Sequence, residues 1–383
     1  MVILLVVFAV AFWALHPTTK VGSTTQAGSG GARVTTPPAP KPKPPAPVAG
    51  PVAKPAVKPA AAAPAVEPVP EPAAPEPTPQ AGVPRLDPAP KWGTAGPRFH
   101  IKWRKVGDLP EPRTKFGAAV YGGLIWIAGG ESANAIMNSV ITFDPVTHRF
   151  GSAPSLSTPR SNHGVTVAAG KLLVFGGLGD GKLLGSVEVW NPTARAWRTL
   201  NGEAASMPTA RSGFAYCTAG NLVYTFGGDK PAVETFDAAA ERWTQAKDMT
   251  GPLAGAAAVT WKGLVYLIGG YGLRAPEAAV QVWDPAADTW LPAAPPLIGP
   301  RSGLVAVTDA TGATFAVAGT RGTVLDLIEV CRTPGEPWTP MNSFMMPRTN
   351  HAFVIARGRF YAIGGTGPGV PERSVFEGTI VRD

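Results

Sequence analysis

The sequence predicts an all-β fold, a six-bladed β-propeller closed by an N-terminal strand and preceded by a disordered proline-rich stalk. Three observations predict it. A short apolar strand ending in paired glycine recurs six times from about residue 98 to the end of the chain. Arginine and aromatic positions keep step with that repeat. Upstream, proline is too dense for either a helix or a sheet ladder.

The prolines divide the chain. Of 43 in 383 residues, 21 fall between residues 37 and 97. Residues 1–20 read as a signal peptide or short membrane anchor, 21–97 as a Thr/Gly-rich and then Pro/Ala-rich disordered linker, and 98–383 as the propeller. The net charge of +8 is spread over both parts: 8 Lys/Arg against 4 Asp/Glu in residues 1–97, and 26 against 22 in residues 98–383. Lasting phosphate contact needs a basic stripe. No Lys/Arg run is present, so no nucleic-acid partner is expected. Two cysteines, Cys217 and Cys331, do not make a disulfide framework.

Met1 to Leu15 is wholly apolar. Its length suits the core of an export signal, with Ala9-Val10-Ala11 as a small-residue cleavage site. It falls short of the ~20 residues that span a bilayer. No Lys or Arg precedes it, whereas Lys20, Arg33, Lys41 and Lys43 follow, an order opposite to that of an exported C-terminal side. Export is expected, by cleavage or by anchoring. The propeller would then stand outside the cytoplasm, secreted, periplasmic or membrane-anchored, touching a membrane only through this segment. The stalk favours polyproline II and reaches up to ~200 Å when fully extended at ~3.1 Å per residue.

The repeat reads Leu124-Ile-Trp-Ile-Ala-Gly129-Gly130, then Leu172-Leu-Val-Phe-Gly176-Gly177, Leu222-Val-Tyr-Thr-Phe-Gly227-Gly228 and Leu264-Val-Tyr-Leu-Ile-Gly269-Gly270. It continues, degraded, at Thr314-Phe-Ala-Val-Ala-Gly319-Thr320 and returns at Arg359-Phe-Tyr-Ala-Ile-Gly364-Gly365. The intervals of 47, 51, 42, 50 and 45 residues each hold four short strands. Arg113, Arg160, Arg211 and Arg348 stand 16 residues before the first glycine and Arg301 stands 18 before Gly319, while Leu253 fills the slot in repeat four. After the glycines comes an aromatic before a turn (Phe143, Trp190, Phe236, Trp283), and seven residues on a second (Phe150, Trp197, Trp243, Trp290). Repeat five fits with Cys331 and Trp338, which makes Cys331 a packing residue. Asp or Asn, followed in most repeats by proline, starts the turn between third and fourth strands. One four-stranded blade cannot bury its own faces, so the aromatics pack between neighbours. Trp103 lies ten residues before Arg113, the interval that separates Phe150 from Arg160. The strand around Ile101–Lys105 is therefore expected to be the outermost strand of the sixth blade.

The glycine pair followed by the aromatic and the tryptophan resembles the kelch-repeat family over about residues 99–383. That resemblance implies a propeller that binds ligands on its loops and at its channel mouths. It also places the arginine slot in a ring near one mouth. On this reading Arg113, Arg160, Arg211, Arg301 and Arg348 are candidate anion ligands, suited to bidentate pairing with carboxylate or phosphate. The alternative is that each ties its blade to the next through backbone carbonyls. The residues that break the repeat after the glycines are the second candidate set: Glu131, Asn134, Asp180, Asp229, Lys230, Tyr271, Arg274 and Arg321. His163 and His351 share one slot with Phe116, Phe214 and Leu304, which marks a packing position.

No metal-ligand spacing, phosphate loop or serine-nucleophile motif occurs. No catalytic residue, cofactor or metal is expected. The first functional expectation is an exported or membrane-tethered binding module for a protein or an anionic glycan. The alternative is a carbohydrate-processing enzyme, because exported six-bladed kelch proteins that interconvert sialic acid anomers are similar in length and architecture. It would use Glu131, Asp180 or Asp229 with Arg274 or Arg321. A copper-radical oxidase like galactose oxidase fits less well, since Cys217 and Cys331 fall two blades apart. A structural or regulatory adaptor is the third class.

Overall fold

The computed structural model describes residues 99–382 apart from 134, 342 and 345. The expected export segment, the expected proline-rich stalk and Asn134 lie outside the described residues. The chain divides into two units, Met1–Thr78 and Pro79–Asp383, and the propeller lies in the second.

Six four-stranded antiparallel sheets make the six blades. Blade 1 comprises Gly117–Tyr121, Leu124–Ala128, Val140–Phe143 and Phe150–Ala153, from channel to rim. Blade 2 has Gly164–Ala168, Lys171–Phe175, Val187–Asn191 and Ala196–Thr199. Blade 3 has Ala215–Ala219, Leu222–Phe226, Val233–Asp237 and Arg242–Gln245. Blade 4 has Ala257–Trp261, Leu264–Ile268, Val280–Asp284 and Thr289–Ala294. Blade 5 has Val305–Thr308, Thr314–Val317, Ile328–Cys331 and Thr339–Pro340. Blade 6 has Ala352–Ala356, Arg359–Ile363 and Ser374–Arg382. Its outer strand is the N-terminal Phe99–Asp108, antiparallel to Ser374–Arg382 with Trp103 opposite Gly378. The ring is thus closed by the strand that the Trp103 interval identifies.

The aromatic ruler has a direct structural cause. Phe143 faces Phe150, Trp190 faces Trp197, Phe236 faces Trp243 and Trp283 faces Trp290 across the third and fourth strands. In blade 6 the third-strand aromatic is missing and Trp103 covers Gly378, where a Cβ would come within 2.5 Å of its ring. Between the facing aromatics, Asp144, Asn191, Asp237 and Asp284 each accept backbone N–H groups two residues on with their side chains, which fixes the turn.

Six apolar clusters hold the molecule together, and each straddles one blade interface. Trp126 of blade 1 meets Trp190 of blade 2 at 5.0 Å between centroids, and Phe226 of blade 3 meets Trp283 of blade 4 at 5.5 Å. Each blade is stable only against its neighbours, so closure protects the whole.

The glycine pairs form a second set of links. The N–H of Gly130 donates to the Arg160 carbonyl of the next blade at 2.8 Å. Gly177 to Arg211, Gly228 to Leu253, Gly270 to Arg301, Gly319 to Arg348 and Gly365 to Arg113 repeat that bond around the ring. Gly129 and Gly130 have φ of 60° and 98°, and a Cβ on Gly129 would lie 2.6 Å from the Arg160 carbonyl oxygen. Glycine suits so close an approach at that φ.

Repeat five needs a correction. Its pair is Ala318-Gly319, with φ of 58° and 103°, and not Gly319-Thr320. The cause is a longer turn after the first strand, Asp309–Ala313, in which Gly312 at φ 92° lets the backbone lie against the Trp261 ring.

Where the chain closes, Glu377 of the last strand joins four side chains. It accepts from Arg104 at 2.9 Å, Arg359 at 2.7 Å, Tyr361 at 2.8 Å and, across the interface with blade 1, His148 at 3.3 Å. Burial pushes its carboxyl up, but the four hydrogen bonds outweigh it and bring the pKa from 4.5 down to about 2. A carboxylate depressed in the fold stabilises it above pH 4.5 and loses that contribution as pH falls towards 2. Glu377→Gln is expected to cost about 2 kcal/mol at neutral pH, allowing for solvent screening of the two half-exposed arginines. Urea titrations of both proteins should give curves that converge as pH falls to 2; a pH-independent gap would show that the carboxylate charge is not what matters.

Candidate binding face and channel rim

In each blade the loop between second and third strands and the connection to the next blade emerge at the same end, since the strands are antiparallel. That end also begins the innermost strand, so it surrounds one mouth of the central channel. The channel is lined by the six innermost strands, holds a cavity of about 640 Å³, and carries Lys115, Asn162, Gly213, Gly255, Gly303 and Asn350 at this mouth.

The five arginines do not present their guanidinium groups to a ligand. Arg160, Arg211, Arg301 and Arg348 are 0% exposed and Arg113 is 1% exposed. Each binds its own blade: Arg113, Arg160, Arg211 and Arg348 donate to the carbonyls of Gly129, Gly176, Gly227 and Gly364 at 2.9–3.1 Å. Arg301 donates to the Ala316 carbonyl at 3.2 Å, two residues before the Ala318-Gly319 pair. The link to the next blade is made by backbone, when the arginine's own carbonyl accepts from the preceding blade's glycine. The expectation of an anion-binding arginine ring is therefore corrected to a set of buried clamps.

Their counter-charges escaped the sequence reading. Glu188, Glu234 and Glu329, all fully buried, pair with Arg160, Arg211 and Arg301. Their other oxygens accept backbone N–H groups at Ser157, Thr209 and Ile298, which pins each inter-blade connection. The signal was present: glutamate precedes the third-strand aromatic slot by two in Val187-Glu-Val-Trp190, Val233-Glu-Thr-Phe236 and Ile328-Glu-Val-Cys331. Blade 4, which has Leu253 for arginine, has Gln281 for glutamate. Blade 6 holds Arg348 between the rings of Phe344 and Phe376, at 4.7 and 5.4 Å from their centroids, and burial lowers its pKa to about 10.

The second candidate set is scattered over the exposed loops. Glu131 accepts from Lys115 at 2.9 Å. Asp180 occupies the tip of a small hairpin, Leu178–Gly179 paired with Lys182–Leu183, where φ of 50° at Asp180 and 71° at Gly181 is the conformation of a tight turn. Asp229 and Lys230 are exposed on the short loop of blade 3. Tyr271 and Arg274 share the loop of blade 4, and Arg321 of blade 5 packs over Gly299. Arg274, Arg321, Asp180 and Asp229 make no ion pair among the described residues, and no acid–arginine pair forms within this set.

His163 and His351 are buried against the channel wall. Burial, with the nearby Arg160 charge, lowers His163 to about 3, and burial with Arg348 lowers His351 well below its ordinary value. Both imidazoles are neutral at physiological pH. No group of three metal-ligating side chains occurs among the described residues.

The comparisons with known proteins agree with this geometry. Residues 99–228 match the KLHDC2/KLHL20/DRC7 Kelch-repeats domain, and residues 252–297 match the Kelch motif. These two stretches are kelch repeats. Kelch-like relatives include the Kelch-like protein terF of Aspergillus terreus (strain NIH 2624 / FGSC A1156), 28% identical over 178 residues, 44% of this chain and 28% of that protein. Kelch-like protein 36 of Mus musculus is 23% identical over 204 residues, 49% and 33% of the two chains. Alpha-scruin of Limulus polyphemus is 25% identical over 219 residues, 54% and 19%. The matched part spans a third or less of the length of these relatives. Among solved structures, one titled "Structure of YjhT" superposes with a TM-score of 0.60 at 16% identity, covering 72% of this chain and 99% of that one. It is evidence of the propeller fold only.

Proposed function

We propose that this kelch propeller is an exported or membrane-tethered binding module that recognises a protein segment carrying apolar and acidic side chains. The observation that carries the proposal is an asymmetry of exposed apolar surface. Large apolar side chains are exposed at Val146, Leu183, Tyr271, Leu273, Ile298 and Val370. All but Val146 sit on the loops and connections that surround the channel mouth. Tyr271, Leu273 and Arg274 share the loop of blade 4, and Ile298 lies on the connection from blade 4 to blade 5, next to Gly299, over which Arg321 packs. Apolar side chains interleaved with uncommitted arginines suit a partner with both kinds of complement. Export rests on the apolar segment Met1–Leu15.

The carbohydrate-processing alternative needs a carboxylate and an arginine converging on one pocket. Glu131 faces Lys115 and the other candidates occupy separate loops, which favours recognition over chemistry. A peptide array of mixed acidic and apolar sequences, screened beside a glycan array with the full chain, tests the reading. Binding to such peptides is expected, weakened at least about tenfold both by Arg274→Ala/Arg321→Ala and by Tyr271→Ser/Leu273→Ser. Binding to glycans alone, or peptide binding indifferent to both variants, would contradict it.

A further inference from the structure

Six residues two positions after the arginine slot form a closed belt around the channel mouth. The N–H of Lys115 donates to the Asn350 carbonyl at 3.0 Å, Asn162 to Lys115 at 2.8 Å and Gly213 to Asn162 at 2.9 Å. Gly255 donates to Gly213 and Gly303 to Gly255, both at 2.8 Å, and Asn350 to Gly303 at 3.2 Å, which completes the circle. All six lie in the left-handed region, with φ from 50° to 63°. Glycine meets that demand in blades 3, 4 and 5. Blades 6, 1 and 2 instead carry Asn350, Lys115 and Asn162, although a side chain there costs conformational energy, most of all for lysine. The belt does not need those side chains. They gather on one half of the rim.

Their hydrogen-bonding state is informative. Lys115 and Glu131 neutralise each other at 2.9 Å. The side-chain amides of Asn162 and Asn350 make no hydrogen bond among the described residues, and the Asn350 Oδ1 lies beside the neighbouring belt member, 3.2 Å from where a Cβ on Gly303 would lie. The next residues in the same two blades, His163 and His351, are buried with both ring nitrogens out of solvent reach, so they wall the mouth without offering it a donor or acceptor. Both line the same cavity. A side-chain amide both donates and accepts, and the half-ring carries no net charge.

We infer that the half-ring Asn350–Lys115–Asn162 is a binding site for a small neutral polyhydroxylated molecule such as a pyranose or cyclitol. Hydroxyl groups, which also donate and accept, match the uncommitted amides of Asn162 and Asn350. The glycine half of the rim leaves flat backbone against which a ring can lie, and the cavity of about 640 Å³ is within the usual size for a small-molecule site. This site is separate from the apolar loop patch and stands or falls independently of it.

The belt supplies its own folding-safe variant. Glycine already occupies half of it, so Asn162→Gly/Asn350→Gly removes the amides without removing a belt bond. Saturation-transfer NMR and calorimetric titration of the full chain with methyl β-glucoside, myo-inositol and glucuronate read the site directly; thermal shift is kept for fold, because polyols stabilise proteins non-specifically. The wild type is expected to bind at least one of the two neutral probes with a Kd on the order of 1 mM, and to bind glucuronate more weakly. The double-glycine variant is expected to melt within about 2 °C of wild type and to lose at least about tenfold in affinity. Absence of binding by both neutral probes, preference for glucuronate, undiminished binding by the variant, or its unfolding would each overturn the assignment.

Discussion

Arg211→Leu is expected to cost about 3–5 kcal/mol, because it strands the fully buried Glu234 carboxylate without its partner. Adding Glu234→Gln to it should recover at least about 2 kcal/mol of that loss, a coupling of the size seen for residues in one buried network. The protein already contains the result of that exchange. Blade 4 carries Leu253 and Gln281 in the two slots and keeps the same strand pairing, with Leu267 opposite Gln281. The inter-blade bond survives as well, since Leu253 offers its carbonyl to Gly228 at 2.8 Å. Chemical denaturation of the two single variants and the double variant measures the coupling. Additive losses would mean that the arginine acts mainly through its carbonyl contacts and that the glutamate is a bystander.

Removal of Phe99–Asp108 is expected to have the largest effect, abolishing a stably folded monomer. The deletion uncovers the nine-residue edge Ser374–Arg382. It also removes Ile101, 1% exposed, and the Trp103 ring that packs on Phe344 and Phe353 at 4.8 and 6.1 Å. A single large buried aromatic is worth about 3–5 kcal/mol, and the total stability of a domain is only about 5–15 kcal/mol. A bare strand edge of that length also invites aggregation. The truncated chain should elute as aggregate on gel filtration, and a peptide of residues 98–108 added during refolding should restore monomer. A truncated chain that folds and melts like the intact one would show that the ring closes without this strand.

The fold was legible because its determinants are side chains at fixed spacing: glycine where the backbone crowds, aromatics facing across two strands, and Trp103 at the same interval from Arg113 as its counterparts elsewhere. Repeat five is offset by one position, since Ala318 takes a left-handed conformation that glycine takes in the other blades; the longer turn before it shows in the sequence as the 18-residue interval from Arg301 to Gly319. The candidate site was less legible. A periodic arginine reads equally as ligand or clamp until its partner is seen, and the partner glutamates lie inside strands that otherwise look apolar. The belt is made of backbone N–H and C=O groups, which leave only the faint preference for Gly or Asn two residues after the arginine. Lys115 gave no such hint.

Amide hydrogen exchange at the belt tests the central claim, a continuous ring whose buried clamps are structural and whose one rim is left for recognition. The six amides of Lys115, Asn162, Gly213, Gly255, Gly303 and Asn350 each donate around the circle. They are predicted to exchange slowly, at one common rate set by opening of the ring as a unit. Fast exchange at Lys115, whose N–H donates to the Asn350 carbonyl where the last blade meets the first, with protection at the other five would mean an open ring and would contradict the account.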